Sequence, residues 1–148
     1  MAREFPIRMI DFLLHNRHEL RREVELLTAQ QSGSIPKIPP RGATERRSPV
    51  EREAISRAEF TMVLDAVDRA WDSMSPDLRQ IARAKYGRAK MSNKEIQTRY
   101  HLSRATVYRK LETIRAVVAG RLALIPEAIM RRFWYLIETF WDDLLRRT

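Results

Sequence analysis

Residues 95–111 read Glu-Ile-Gln-Thr-Arg-Tyr-His-Leu-Ser-Arg-Ala-Thr-Val-Tyr-Arg-Lys-Leu, the spacing of a helix-turn-helix, which lays one short helix in the DNA major groove. Ile96, Tyr100, Leu102, Val107 and Leu111 fall where two crossed helices present apolar side chains to each other and to the helix before them. Ser103 stands where the second helix must begin. A Ser there accepts a hydrogen bond from an otherwise unpaired N–H of the first turn, a contribution of roughly 1 kcal/mol. From Arg104 onward, Val107, Leu111, Ile114 and Val118 follow the helical period and predict the buried stripe. Ala105, Tyr108, Arg109 and Glu112 take the opposite side. Two positions depart from the usual pattern: Gln97 stands where a small residue lets the helices approach, and His101 where Gly takes the turn. His tolerates positive φ better than most residues, and Gln97 is expected along the rim.

Charge concentrates on the same stretch. The 148-residue chain has a net charge of +9, of which the window 75–120 carries +8; residues 1–74 balance to zero. A basic patch that coincides with a groove-reading motif is the electrostatic footprint of a nucleic-acid site. Arginines outnumber lysines by 23 to 5, which suits bidentate bonding to phosphate and guanine. A GC-rich genome gives the same bias, so the ratio carries no weight.

The length is that of one domain with a modest core. With no cysteine in the chain, a disulfide framework, a thiol nucleophile and a zinc finger are excluded. No apolar run reaches 18 residues, and Arg3, Glu4, Arg8 and Asp11 interrupt the N-terminus where a signal peptide needs an apolar stretch. The expectation is a cytoplasmic protein with no membrane partner.

No strand pattern appears, and four segments can be distinguished. From about Ile7 to Gln31, Ile10, Leu13, Leu20, Val24 and Leu27 keep three-four spacing with Arg17 at one seam position, so residues 1–31 read as an N-terminal amphipathic helix suited to a short coiled coil. Residues 32–49 hold Pro36, Pro39, Pro40 and Pro49 with Gly33 and Gly42, and read as a semi-extended linker. Residues 50–124 form the helical block around the motif. Ser48-Pro49-Val50-Glu51 starts its first helix with a capping box, and that helix reaches about Trp71 to Met74. Ser75-Pro76-Asp77 starts the next, which runs to about Tyr86 and ends at Gly87 in an expected left-handed cap.

In the last segment, 125–148, Met130, Phe133, Ile137, Phe140 and Leu144 repeat at three-four spacing, widened by Ile129, Trp134, Trp141 and Leu145. A face so wide and aromatic is too large to leave in water. It packs on the chain's own helices, such as 7–31, or on another copy. For the second case the contact residues are Met130, Phe133, Trp134, Ile137, Phe140, Trp141 and Leu144, and a homodimer on two half-sites is the expected assembly. A membrane-surface helix is disfavoured because Glu138, Asp142 and Asp143 share its polar side with arginines.

The block from about Ala58 to Leu124, with Arg79 to Tyr86 before the motif and Ser103-Arg104-Ala105-Thr106-Val107-Tyr108-Arg109 within it, resembles the sigma-factor region 4 fold as used by phage-encoded RinA and ArpU type transcription regulators. The resemblance implies an all-α protein with a sigma region 4-like helix-turn-helix core that activates late phage genes, for packaging or lysis, by binding promoter DNA. RNA polymerase is a further candidate partner. The same string looks like the DNA-binding domains of serine recombinases and several repressors, and the aromatic C-terminal helix has no counterpart in the pattern. Carried over position by position, the motif implies that Arg104, Ala105, Tyr108 and Arg109 face base edges. Arg would bond guanine, Ala105 would lie near a thymine methyl, and Tyr108 would meet a base or phosphate. Ser103, Thr106, Lys94 and Arg99 would hold phosphates, with Lys85, Arg88, Lys90, Lys110 and Arg115 adding backbone contacts.

Other chemistries find little support. His15 and His18 lie three apart on an expected helix with Glu19 beside them, yet spacing suggests no third metal ligand, and neither a metal nor a cofactor is expected. No Gly-rich phosphate loop, nucleophile elbow or patterned carboxylate pair occurs, so an enzyme is not expected. The competing function is a small terminase subunit or other DNA-packaging protein, with the aromatic helix as a ring interface. Such proteins usually carry their DNA-binding helices at the N-terminus, whereas here a helix and linker come first.

Overall fold

The computed structural model describes residues 5–33 and 57–146, with side chains described for 5–25 and 57–139. Within them the chain is all-helical, and six helices are present: α1 (Ile7–Gly33), α2 (Arg57–Ser73), α3 (Pro76–Tyr86), α4 (Asn93–Tyr100), α5 (Arg104–Leu122) and α6 (Glu127–Arg146). Helix α1 takes in residues 32 and 33, the first two positions of the expected linker; the rest of the Pro-rich stretch and the capping box at Ser48–Glu51 lie outside the described residues.

Helix α2 is the centre of the packing. Phe60, Val63, Leu64, Val67, Ala70 and Trp71 are buried, so apolar positions cover more than one side, and α1, α5 and α6 pack on it. Each fully buried Val, Leu or Phe stabilises by roughly 1.5–3 kcal/mol. On α1 the buried set is Met9, Ile10, Leu13, Leu14, Leu20 and Val24. Arg17, the polar residue at the seam, is accommodated rather than expelled. Its guanidinium lies 4.0 Å from the centroid of the Trp71 ring and bonds Asp68 at 3.3 Å. Its stem packs while its head is paired, as long cationic side chains do at an apolar boundary. Arg21 bonds both Asp65, at 2.9 Å, and Asp68, at 2.6 Å, and ties the same two helices.

Local signals set the helix ends. Ser75 caps α3 by accepting from the Leu78 N–H, with Pro76 in the first turn. Ser92 and Glu95 form a reciprocal capping box on α4. Ser103 accepts from the Thr106 N–H at 3.1 Å to start α5. His101 closes α4 at φ 54° and ψ 46°, the left-handed conformation, and its N–H bonds the Gln97 carbonyl.

Gly87 departs from expectation. Its φ is −83° and its ψ −167°, extended rather than left-handed, and the positive φ falls instead on Lys90, at 44°. What demands glycine there is space: a Cβ would lie 2.3 Å from the Arg83 carbonyl oxygen, which already accepts from the Gly87 N–H at 2.9 Å.

Helix α5 packs on α1, α2, α3 and α4 through Val107, Leu111, Ile114, Val118 and Leu122, each 0–1% exposed. One polar cluster fastens it to α1. Arg115 Nε and a terminal guanidinium nitrogen donate to the two Asp11 oxygens at 2.9 and 3.1 Å, while the Tyr86 hydroxyl donates to Asp11 Oδ1 at 2.7 Å. Burial, reinforced by the Asp11 contact, holds the Tyr86 phenol well above its usual pKa. His15 packs edge-on against the Tyr86 ring at 4.7 Å, and desolvation lowers its pKa.

Helix α6 buries Met130, Phe133 and Ile137 inside the same chain, with Phe133 5.1 Å from the Phe60 ring. Arg132 pairs with Glu59 of α2, and Arg8 of α1 reaches Glu138 at 3.1 Å and the Trp134 ring at 5.5 Å. For the described part of this face, Met130, Phe133 and Ile137 pack on the chain's own helices. The side chains of Phe140, Trp141 and Leu144 lie outside the described residues.

Two substitutions test these contacts. Asp11→Ala leaves a partly buried guanidinium without its carboxylate and is expected to lower unfolding free energy in urea by about 2–4 kcal/mol; a loss below about 0.5 kcal/mol would make the cluster ornamental. Gly87→Ala is expected to cost on the order of 1–3 kcal/mol, because a methyl is forced against backbone, and an unchanged melting midpoint would contradict the close approach.

Candidate nucleic-acid interface

Because the buried stripe of α5 faces inward, the residues between its members must face out. Arg104, Ala105, Tyr108, Arg109 and Glu112 are all exposed. They occupy two adjacent rows of the helix surface, three or four residues apart. Just before them, Ser103 is exposed, and its hydroxyl also donates to Thr106 Oγ1 at 2.8 Å. That leaves the first backbone N–H groups of α5 at the surface, where a helix N-terminus favours negative charge.

The side chains on this face are linked. The Arg104 guanidinium lies 5.4 Å from the Tyr108 ring centroid. Hydrogen bonding from Arg104, and secondarily from Asn93, pushes the Tyr108 phenol below its ordinary pKa. Asn93 in turn accepts from Lys85 Nζ at 2.7 Å. Lys85 of α3, Asn93 of α4 and Arg104 and Tyr108 of α5 thus form one polar row across three helices. Asn93 was not anticipated from sequence. The signal available was its place at the first position of α4, directly after the Ser92 cap, on the side where α4 meets α5.

Lys94, Arg99, Arg104 and Arg109 are exposed and Lys110 and Thr106 half-buried. None of these cations lies within 4 Å of a described carboxylate. Arg88 and Lys90, on the loop between α3 and α4, are exposed as well. Arg115 stands apart. Its guanidinium is committed to Asp11, and that pairing raises its pKa further, so it belongs to the α1 contact rather than to the exposed row. The difference is one of helix angle: Arg115 follows Ile114 on the side turned toward α1.

Among the described side chains of α6, the expected contact residues are turned mainly to the interior. Met130, Phe133 and Ile137 are core residues and Trp134 is half-buried. Among the described residues no group of three or more His, Asp or Glu could hold a metal ion, and no helix is long and apolar enough to cross a membrane.

The electrostatics of the row can be measured directly. Tyr108 is expected to ionise below 10.0, the usual value for a phenol, in a spectrophotometric titration taken as the difference from Tyr108→Phe. In Arg104→Ala the midpoint should move back up, because the neighbouring positive charge that favours phenolate is gone. A midpoint unaffected by the loss of Arg104 would dissolve the proposed link.

No family model, curated protein or solved structure matches the chain.

Proposed function

We propose that the chain is a sequence-reading DNA-binding protein, a transcription regulator, with α4 and α5 acting as a helix-turn-helix and α5 entering the major groove. The observation that carries this reading is the uncommitted basic row on the N-terminal half of α5, backed by a fully buried stripe on the same helix. A recognition helix has to offer several exposed polar side chains in fixed register while its other face is held rigidly. Arg104 and Arg109 read guanine edges, Ala105 sits by a thymine methyl, and Tyr108 contacts a base or phosphate. Lys94, Arg99, Ser103, Thr106 and Lys110 hold backbone phosphates, and Lys85, Arg88 and Lys90 extend that track. The resemblance to RinA and ArpU type regulators extends the proposal to a late-gene activator in a phage or prophage.

The second reading, a ring-forming packaging subunit, depends on an aromatic α6 free to meet other subunits. Met130, Phe133 and Ile137 are covered within one chain, which leaves less of the described face for a ring contact and favours the regulator. The same burial takes Met130, Phe133 and Ile137 out of a homodimer contact; of the other expected contact residues, Trp134 is half-buried, and Phe140, Trp141 and Leu144 lie outside the residues with described side chains.

Fragments of the source genome captured by the protein at about 50 and 200 mM salt separate these readings, since phosphate-driven binding falls steeply over that range. One site upstream of a gene block, retained at the higher salt, is the expected outcome; enrichment at a packaging start would favour the second reading. On the selected site, Arg109→Ala is expected to cost about 1–3 kcal/mol and to relax discrimination at one base pair, whereas Lys94→Ala weakens all sequences alike. Equal losses for Arg109→Ala on specific and random DNA would refute the base contact.

A further inference from the structure

Away from the α5 row, a cavity of about 340 Å³ opens between α1, α2 and α3. Its size falls at the lower end of the range for small-ligand pockets, roughly 300–1,000 Å³. The floor is aromatic: Trp71, with the Arg17 guanidinium stacked 4.0 Å from its ring centroid. His18 of α1 and Arg79 and Arg83 of α3 stand on the walls, together with the carboxylate of Asp72. Arg79 and Arg83 are one turn apart and share a helix face.

These cations differ from the others that line the helix seams. Arg17 is satisfied by Asp68, but His18, Arg79 and Arg83 have no described carboxylate within 4 Å. One terminal nitrogen of Arg79 donates to the Met74 carbonyl at 3.0 Å, while its buried Nε has no hydrogen-bond partner. That Nε is enclosed in the helix seam, so an anion in the cavity would meet the terminal guanidinium nitrogens of Arg79 and Arg83. Nor is the cavity an extension of the α5 row. Arg83 and Lys85 lie two residues apart, about 200° around the helix, so the cavity faces away from the Lys85, Asn93 and Tyr108 cluster.

We propose that this cavity binds a small phosphorylated ligand bearing a flat ring, of the class of a nucleoside monophosphate. The phosphate sits on the exposed fork of Arg83 and on the terminal nitrogen of Arg79 that is not bonded to the Met74 carbonyl. The ring lies against the Arg17 guanidinium, whose other side is on Trp71. Asp72 accepts from a ring N–H or a sugar hydroxyl, which a bare phosphate cannot offer, so an intact nucleotide binds more tightly than inorganic phosphate. The proposal does not depend on the DNA-binding reading.

The test is calorimetric titration of the full chain with the four common nucleoside monophosphates and, separately, with inorganic phosphate. Saturable one-to-one binding of at least one nucleotide is expected, at least tenfold tighter than phosphate. Arg83→Glu, an exposed position whose folding is checked by circular dichroism, should weaken it at least tenfold. Failure of all four to saturate, or affinity unchanged in Arg83→Glu, would overturn the proposal. So would absence of nucleotide binding together with weaker DNA affinity and a shallower salt dependence in Arg83→Glu, since the cavity would then hold a backbone phosphate of DNA.

Discussion

Helix α5 has to serve two masters on one cylinder, and the rest of the fold depends on how that is met. Val107, Leu111, Ile114, Val118 and Leu122 are committed to the interior, and four other helices pack on α5. A helix with one side locked in that way cannot rotate about its axis without taking apolar side chains into water, at roughly 1.5–3 kcal/mol each. The orientation of Arg104, Tyr108 and Arg109 is therefore set by residues that never reach the surface. Rigidity of the exposed row is a property of the core behind it.

The arginines divide along the same line. Arg17, Arg21, Arg115 and Arg132 lie in seams between helices, and each meets an aspartate or glutamate from another element. There the charge is neutralised and the pair records which helices belong together. Arg99, Arg104 and Arg109 are exposed with no such partner among the described residues. Arg79 and Arg83 are of a third kind, cavity-lining and unpaired by carboxylates. Of the net charge of +9, +8 lies in residues 75–120, the stretch that supplies both the exposed α5 row and the cavity arginines Arg79 and Arg83.

Much of the path from α3 to α5 could be read directly. The Ser75 and Ser103 caps, the buried stripe of α5 and the outward position of Tyr108 and Arg109 all depend on neighbours within about four residues, where the helical repeat gives an unambiguous answer. His101 fits the same rule, since a left-handed residue after α4 is demanded by the turn itself. Gly87 shows the limit of local inference. Glycine after a helix suggests a left-handed cap, but here the chain leaves in an extended direction and glycine is needed because the Arg83 carbonyl lies so close.

Among the described residues, the sequence by itself determined that the segments around the motif are helical, where their ends fall between α3 and α5, which side of α5 is apolar, and where the positive charge gathers. These are consequences of periodicity, capping and composition, all short-range. Only the tertiary structure decided that Arg115 pairs with Asp11, that α6 covers itself against α2 and that Asn93 joins Lys85 to Tyr108. Asp11 and Arg115 are 104 residues apart, and no repeat of 3.6 residues can say which distant group fills a position. That choice is made when the helices pack, by which arrangement buries the most apolar surface while leaving the fewest charges unpaired.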